Sequence, residues 1–207
     1  MSARFIALEG GEGVGKSTQA RALAAALRAR GIDVVETREP GGSPGAEAIR
    51  TLLLEGSADR WGPGAEALLF AAARADHVEK TIRPALAAGR WVLSDRFLDS
   101  SLAYQGGADR IATDALLGLH AVGSGGLLPD RTLLLTLPEA EAQARAMARD
   151  RGAADRFGAR PAGYHAAVAR AFTAIAAAAP ERFAVVDARG VPEAVTARLV
   201  AAIADLL

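Results

Sequence analysis

The segment from Gly10 to Ser17 constrains the fold of this 207-residue chain more than any other feature of its sequence. It reads GGEGVGKS, which fits the pattern G-x-x-x-x-G-K-[ST]. An apolar segment at 5–9 precedes it, and a helical pattern at 16–30 follows it. Glycines let consecutive backbone N–H groups point at phosphate oxygens, and the helix N-terminus adds positive charge. This context therefore predicts a cradle for a nucleoside triphosphate.

Two side chains of this loop carry specific chemistry. Lys16 is expected to reach the β- and γ-phosphates of ATP, and the Ser17 hydroxyl is expected to ligate Mg²⁺. Only two of the 24 basic residues are lysines, Lys16 and Lys80, so chance poorly explains a lysine inside this pattern. Similar loops also serve GTPase switches and motors, so the motif leaves the reaction open. The residues predicted to bind ATP are Gly10, Gly11, Glu12, Gly13, Val14, Gly15, Lys16, Ser17 and Thr18.

Predicted strands and helices alternate along the chain, which indicates an α/β fold with a parallel sheet covered on both faces. The sequence predicts strands at 5–9, 32–35, 91–95, 131–137 and 183–186. It predicts helices at 16–30, 47–54, 65–88 with a kink near Pro84, 114–122, 139–149, 164–179 and 192–206. The segment 149–163 is polar and rich in arginine, and we interpret it as a mobile part of a single domain spanning 1–207.

Charge and composition argue against several classes of protein. The 24 basic and 24 acidic residues balance, whereas a nonspecific nucleic-acid binder is usually basic. The absence of cysteine excludes disulfides and thiolate metal sites. No signal-peptide pattern and no run of about 18 apolar residues occurs, so we expect a cytoplasmic protein without a membrane span. The histidines, His77, His120 and His165, lack metal-ligand spacing and are interpreted as helix-surface or packing residues.

A second charged motif, Asp95-Arg96-Phe97, follows the predicted strand at 91–95. A carboxylate at the carboxyl end of a parallel strand lies beside the phosphate-binding loop, where Asp95 can hold Mg²⁺ through water. Glu9, at the end of the first strand, can join the same water network. Arg96 can bind an acceptor phosphate through two hydrogen bonds. The alternative is that Asp95 and Arg96 form a surface ion pair, and the motif alone leaves both interpretations open.

Five ordered segments together resemble the thymidylate kinase family. They are FIALEGGEGVGKST at 5–18, TREPGG at 37–42, LLFAAARADHV at 68–78, VLSDRFLDSSLAYQG at 92–106 and LPDRTLLL at 128–135. The similarity covers most of the chain and weakens after about residue 155. It implies a P-loop NTPase fold, a five-stranded doubly wound parallel sheet with a mobile lid. It further implies a homodimer that uses ATP, Mg²⁺ and dTMP to make ADP and dTDP.

The resemblance implies a set of contacts to dTMP. Phe70 would stack on thymine and Arg74 would bind the carbonyl edge of the base, since residues four apart project from one helix face. Ser101 and Gln105, also four apart, would meet the polar edge of the base. Tyr104 would flank the sugar and favour deoxyribose. The alternatives are core packing for Phe70 and Tyr104, and a solvated helix face for Arg74.

The resemblance also implies a cluster of arginines around the phosphate of dTMP. Its members are Arg38, Arg50 and Arg96. An arginine on a helix surface is the alternative interpretation of Arg50. Glu39 is expected close to the sugar or to the metal.

Phosphoryl transfer passes through a loose transition state, so catalysis depends on positioned cations. Some family members carry an arginine in the phosphate-binding loop, where this chain has Glu12, so the arginine must come from elsewhere. The segment 149–156 resembles the lid of the bacterial type, although the acidic residue usual two positions after its last arginine is absent. A loop that only steers ligands is the alternative. The implied catalytic residues are Lys16, Asp95, Arg96, Arg149, Arg151 and Arg156.

Two other functions compete with this interpretation. One is a kinase for a different pyrimidine nucleotide, such as dUMP or CMP, or for a nucleoside; the Phe70, Arg74, Ser101 and Gln105 set argues against a purine. The other is a nucleotide-dependent switch that needs no acceptor. The Asp95-Arg96 corner and the arginine-rich lid argue against the switch.

Overall fold

The computed structural model describes residues 2–57, 59–150 and 155–207. Five parallel strands form one sheet in the order β2-β3-β1-β4-β5. Strand order reverses around the central β1, and ligands bind at the carboxyl ends of strands at such a point. The predicted α/β class with a five-stranded doubly wound parallel sheet is confirmed. The strands are β1 (Phe5–Glu9), β2 (Val34–Arg38), β3 (Trp91–Asp95), β4 (Arg131–Thr136) and β5 (Phe183–Asp187).

Helices cover both faces of this sheet. In the described part of the chain, two π-helical segments, Val78–Ile82 and Leu102–Ala108, and a short 3₁₀ turn, Ala204–Leu206, continue α-helices. None of the helices there is long and apolar enough to cross a membrane. The α-helices are α1 (Lys16–Arg28), α2 (Pro44–Leu54), α3 (Pro63–His77), α4 (Arg83–Ala87), α5 (Leu98–Ser101), α6 (Thr113–Ser124), α7 (Glu139–Asp150), α8 (Ala162–Ala178) and α9 (Pro192–Ala201).

Several boundaries differ from the sequence prediction for physical reasons. β2 begins later than predicted and extends through polar residues to Arg38, because its backbone pairs with β3 up to Asp95. The predicted long helix at 65–88 contains the π-helical segment directly before α4, where Pro84 has no N–H to donate to the preceding turn. The segment 98–108 is helical and was not predicted, since it shows little apolar periodicity.

Two of the apolar cores in the described residues pack on β1 and β3, one on each face of the sheet. On one face, α1 and α9 pack through Leu23, Leu27 and Leu199, which are fully buried. On the other, Phe5 and Phe97 meet edge to face with centroids 4.8 Å apart. Both cores contact β1 and β3. They therefore fix the carboxyl ends of these strands, which position the segments that follow.

Candidate functional site

The glycine-rich loop joins the carboxyl end of β1 to the first turn of α1, as predicted. The Lys16 ammonium donates to the carbonyl oxygens of Gly10 (3.1 Å) and Gly11 (2.7 Å), so it lies across the loop. Burial, followed by the charge of the neighbouring Arg96, lowers the pKa of Lys16 to about 8, against the opposing effect of nearby carboxylates. The structure thus holds Lys16 where phosphate oxygens would replace the two carbonyls.

Ser17 and Asp95 come together from α1 and β3. The Ser17 hydroxyl donates to Asp95 Oδ2 at 2.5 Å, while Asp95 Oδ1 is buried and receives no hydrogen bond from the described residues. An unpaired carboxylate oxygen beside a hydroxyl suits Mg²⁺, which prefers oxygen ligands and keeps several waters. Nowhere in the described ranges do three or more His, Asp or Glu side chains form a metal cage. A cation here would therefore take its remaining ligands from phosphate and water.

Glu9 lies buried at the end of β1 and holds the segment after β3. Its carboxylate accepts hydrogen bonds from Phe97 N (2.7 Å), Ser100 N (3.1 Å) and Ser100 Oγ (2.6 Å). Burial, followed by the charge of Asp99, raises the pKa of Glu9 to about 7. None of these hydrogen bonds joins Glu9 to Ser17 or Asp95, so the structure links Glu9 to the Arg96 corner.

One carboxylate, that of Glu12, lies among the cations of the site. Glu12 accepts from Arg96 Nη2 (2.5 Å), Arg149 Nη1 (3.1 Å) and the Tyr104 hydroxyl (3.2 Å). Burial raises the pKa of Glu12, but Arg96, Lys16 and Arg149 outweigh it and hold that pKa well below its usual range. Arg96 adopts φ of 74°, a conformation uncommon outside glycine, and its guanidinium lies 5.2 Å from the Tyr104 ring centroid. Glu12 therefore neutralises positive charge that phosphates would otherwise meet.

A cavity of about 680 Å³ connects these groups. Glu9, Gly10, Gly11, Arg74 and Arg156 do not line it, whereas most other predicted site residues do. Lining residues that were not identified from the sequence include Gln19, Arg145, Ala188, Gly190 and Pro192. Gln19 and Arg145 lie within one helical turn of Ser17 and Arg149, so their spacing could have identified them as lining residues. No sequence pattern identifies the other three. The predicted residues that line the cavity are Glu12, Gly13, Val14, Gly15, Lys16, Ser17, Thr18, Arg38, Glu39, Arg50, Phe70, Asp95, Arg96, Ser101, Tyr104, Gln105 and Arg149.

One end of the cavity combines aromatic and polar walls. Half-buried Phe70 meets Phe157 edge to face with centroids 5.5 Å apart. The side-chain nitrogen of Gln105 is buried and has no acceptor among the described residues. Ser101 Oγ accepts from Arg74 Nη2 at 2.8 Å, which leaves the serine hydroxyl proton available to donate. This end therefore offers a stacking surface with two hydrogen-bond donors.

Two predicted arginines approach the same end from β2 and α2. Arg38 Nη2 donates to both carboxylate oxygens of Glu47 at 3.0 Å, and Arg50 Nη1 donates to the Pro40 carbonyl at 2.6 Å. Burial lowers the pKa of Arg50, and the charge of Arg38 lowers it further. Two guanidiniums that repel each other in this way favour the binding of an anion between them.

The predicted lid arginines occupy different surroundings. Arg149 lines the cavity beside Glu12, whereas Arg156 is buried and donates to the carbonyls of Leu53 and Ser57 and to Glu66. Arg151 lies outside the described residues. The structure thus brings Arg149 into the site and anchors Arg156 between α2 and α3.

Comparisons with known proteins agree with this geometry. A family model described as thymidylate kinase matches residues 8–199. A thymidylate kinase of Rhizorhabdus wittichii is 65% identical over 207 residues, 100% of each chain. One of Caulobacter vibrioides is 50% identical over 195 residues, covering 94% of this chain and 93% of its own. The crystal structure of thymidylate kinase from Ehrlichia chaffeensis superposes with a TM-score of 0.78 at 27% identity, covering 98% of this chain and 100% of that one.

Proposed function

We propose that this chain, which belongs to the thymidylate kinase family, transfers the γ-phosphoryl group of ATP to dTMP and releases ADP and dTDP. One observation carries the proposal: a single cavity joins the phosphate-binding loop to an end lined by Phe70, Ser101 and Gln105. Since in-line transfer needs donor and acceptor phosphates side by side, a shared cavity is the arrangement that the reaction requires.

ATP binds at the end of the cavity nearest α1. Its triphosphate lies along the loop 10–18, where backbone N–H groups and the N-terminus of α1 attract negative charge. Its nucleoside extends toward Gln19, Arg145 and the segment 188–192, which complete the lining at that end.

The base of dTMP stacks on Phe70, which contributes roughly 1–3 kcal/mol for such contacts. The Ser101 hydroxyl and the Gln105 amide donate to carbonyl oxygens of thymine. An amino group such as that of cytosine would leave the Gln105 N–H buried without a partner, so CMP is disfavoured. Arg74 supports this edge through Ser101, and Tyr104 flanks the sugar.

The phosphate of dTMP lies among Arg38, Arg50 and Arg96, with Glu39 close by. An oxygen of this phosphate attacks the γ-phosphorus, the bond to the β,γ-bridging oxygen breaks, and the electron pair stays on ADP. Bound Mg²⁺ would neutralise phosphate charge, and Ser17 and Asp95 are suited to hold it. The role of Glu9 in that water network stays a prediction.

Lys16, Arg96 and the lid arginines Arg149 and Arg151 stabilise the charge that develops in this step, whereas Arg156 anchors its segment against Glu66. Arg96 and Arg149 exchange the Glu12 carboxylate for phosphate oxygens when the substrates arrive. Because Glu12 keeps these cations paired until then, their side chains are held near the working geometry before binding.

A coupled ADP-release assay with ATP, Mg²⁺ and dTMP, dUMP, UMP, CMP, AMP or GMP tests the proposal. We expect turnover to favour dTMP, with dUMP second, since a methyl group is worth roughly 1–3 kcal/mol in a fitted apolar pocket. Preference for another acceptor would keep the kinase and refute the base assignment. ADP release without an acceptor would favour the nucleotide switch.

We also propose a homodimer in the cytoplasm. Large apolar side chains are exposed on neighbouring helices α3 and α6, with Leu68 59% and Val122 90% exposed. Light scattering on a sizing column should report twice the chain mass for the wild type. A Leu68→Glu variant should shift toward the monomer if α3 lies in the interface; cell fractionation tests the location.

A further inference from the structure

His77 lies at the end of α3 and is fully buried, which excludes the helix-surface alternative for this residue. Both ring nitrogens have polar partners. Nδ1 lies 3.0 Å from Glu39 Oε1, and Nε2 lies 2.6 Å from the hydroxyl of Thr37. A buried imidazole with both nitrogens engaged is a fixed connection between β2, the segment after it and α3.

The proton positions on this ring follow from its partners. An ionised carboxylate only accepts hydrogen bonds, so Nδ1 carries a hydrogen and donates to Glu39. The Thr37 hydroxyl either donates to or accepts from Nε2, which satisfies both protonation states of that nitrogen. The ring therefore supplies Glu39 with one donor in every case.

Glu39 passes this constraint to Arg74. Its second oxygen, Oε2, accepts from Arg74 Nε at 2.8 Å, and both side chains are buried. Arg74 Nη2 in turn donates to Ser101 Oγ at 2.8 Å and to the Phe97 carbonyl at 3.2 Å. His77 and Arg74 thus lie behind the cavity, whereas Glu39 and Ser101 form part of its wall.

The backbone is shaped around the imidazole. A Cβ atom at Gly42 would lie 2.5 Å from His77 Nε2 and 2.3 Å from the Thr37 hydroxyl, so only glycine fits at φ of 86°. Thr81 holds this glycine by donating to its carbonyl at 2.7 Å. Hydrogen bonds inside such a buried network are strong, and loss of one donor leaves its acceptor buried without a partner.

We propose that His77 is a positioning residue for recognition of the acceptor nucleoside, a role that rests on the proposed function. The Nδ1–H group holds the Glu39 carboxylate, Glu39 holds Arg74, and Arg74 orients the hydroxyl of Ser101 toward the base. No side chain of this cluster hydrogen-bonds a described residue of the phosphate-binding loop. Loss of the donor therefore weakens the binding of dTMP and leaves the binding of ATP unchanged.

Two substitutions at His77 separate this role from simple packing. Asparagine places an amide nitrogen near the position of Nδ1, whereas glutamine places it near that of Nε2. We expect His77→Gln to raise KM for dTMP about tenfold, as loss of a donor to a buried carboxylate commonly does. KM for ATP and kcat should stay within about twofold by the same argument, and His77→Asn should restore most of the dTMP affinity.

A second pair of substitutions, at Thr37, tests the contact of the ring at Nε2. Thr37→Val removes the hydroxyl that faces Nε2, and we expect a severalfold rise in KM for dTMP. Thr37→Ser keeps the hydroxyl and should behave as the wild type. If His77→Gln does not fold, which thermal unfolding reports, this pair decides the question.

Equal effects of asparagine and glutamine, or a parallel rise in KM for ATP, would show that His77 only supports the fold. Equal effects of the valine and serine variants at Thr37 would show the same. Wild-type turnover without preference for dTMP would refute the proposed function instead. In that case the same ratios, measured with the preferred acceptor, still test the role of His77.

Discussion

At the scale of single residues, the chemistry of the site depends on how its surroundings change each ionisation. Burial lowers the pKa of Lys16 to about 8, whereas paired cations hold the pKa of Glu12 far below normal. Sequence identifies the two residues as charged and neighbouring, but the direction of each shift comes from the tertiary structure. Burial dominates at Lys16, and nearby cations, Arg96 first, dominate at Glu12.

The depressed pKa of Lys16 predicts that ATP binding takes up protons. In the free protein the ammonium begins to lose its proton near pH 8, while bound phosphates favour the charged form and raise the pKa again. At about pH 9 we therefore expect binding to capture close to one proton per site, and Kd to rise by up to about tenfold per pH unit. Titration calorimetry in buffers of different ionisation enthalpy measures this uptake.

Lys16→Arg is the control for this titration, because a guanidinium remains charged throughout. Its ATP affinity should be lower and its proton uptake absent above pH 8. Uptake of the same size in wild type and variant would show that another group titrates.

At the scale of elements, the described residues on either side of 151–154 contact different parts of the site. Helix α7 rests on the phosphate-binding loop, where Arg149 meets Glu12 and Gly13 meets the backbone of Ala142. Further along the chain, Arg156 binds the fully buried Glu66, and Phe157 packs against Phe70. These contacts therefore lie at both the phosphate-binding loop and the Phe70 end of the cavity.

Replacement of Arg149 should lower kcat, whereas replacement of Arg156 should lower the stability of the fold. Arg149→Ala should lower kcat by roughly 10²–10³-fold with little change in stability, as loss of one transition-state donor does. Arg156→Ala should destabilise the fold by about 3 kcal/mol, because it removes one cation from buried Glu66. Steady-state kinetics and urea unfolding of both variants measure this. A collapse of kcat in a stable Arg156→Ala protein would assign the catalytic arginine to Arg156.

The contact between α7 and the loop predicts a steric effect at Gly13. A Cβ there would lie 2.0 Å from the carbonyl oxygen of Ala142, and φ is 75°. Gly13→Ala should therefore displace α7 and lower the unfolding free energy by about 1–3 kcal/mol, the usual range for overpacking. Gly11→Ala is the matched comparison, since its Cβ would meet nothing within 4 Å. Equal melting temperatures for both variants would contradict a close contact with α7.

At the scale of the whole molecule, one buried ion pair ties the site to the far edge of the sheet. Asp99, in the segment after β3, receives two hydrogen bonds from Arg182, at 2.6 and 2.8 Å, next to the start of β5. Thr132 of β4 joins the same group. The segment after β3 is thus held against β4 and the residue that precedes β5.

Removal of one partner of this ion pair should lower the free energy of unfolding. Arg182→Met leaves the Asp99 carboxylate buried with its main partner removed, and we expect a loss of about 3 kcal/mol in the free energy of unfolding. Adding Asp99→Asn removes the unpaired charge and should recover a large part of that loss. Arg90→Met, at an exposed pair with Asp33, should cost less than about 1 kcal/mol. Urea unfolding of the wild type, Arg182→Met, Asp99→Asn, their double variant and Arg90→Met measures these values, and additive losses of the two single variants would refute coupling of Asp99 with Arg182.

Local sequence patterns predicted several features of this protein correctly. The bounds of β1 and β3 match their predictions, because buried parallel strands are short apolar runs ended by turn or charged residues. The family was recognised from contiguous segments, and the comparisons confirm it. The helical segment 98–108 was missed, since its polar residues face a cavity and an ion pair and break the apolar periodicity.

The sequence by itself determined the chain's phosphate-binding loop, its strand–helix alternation and its family, because each depends on residues close together along the chain. Only the tertiary structure decided that Glu12 pairs with Arg149, that Arg156 is buried against Glu66, and that His77 supports Glu39. These pairs are separated by 38 to 137 positions, so no local pattern specifies them. Distance and burial set which charges meet, and both exist only after the sheet and its helices have packed.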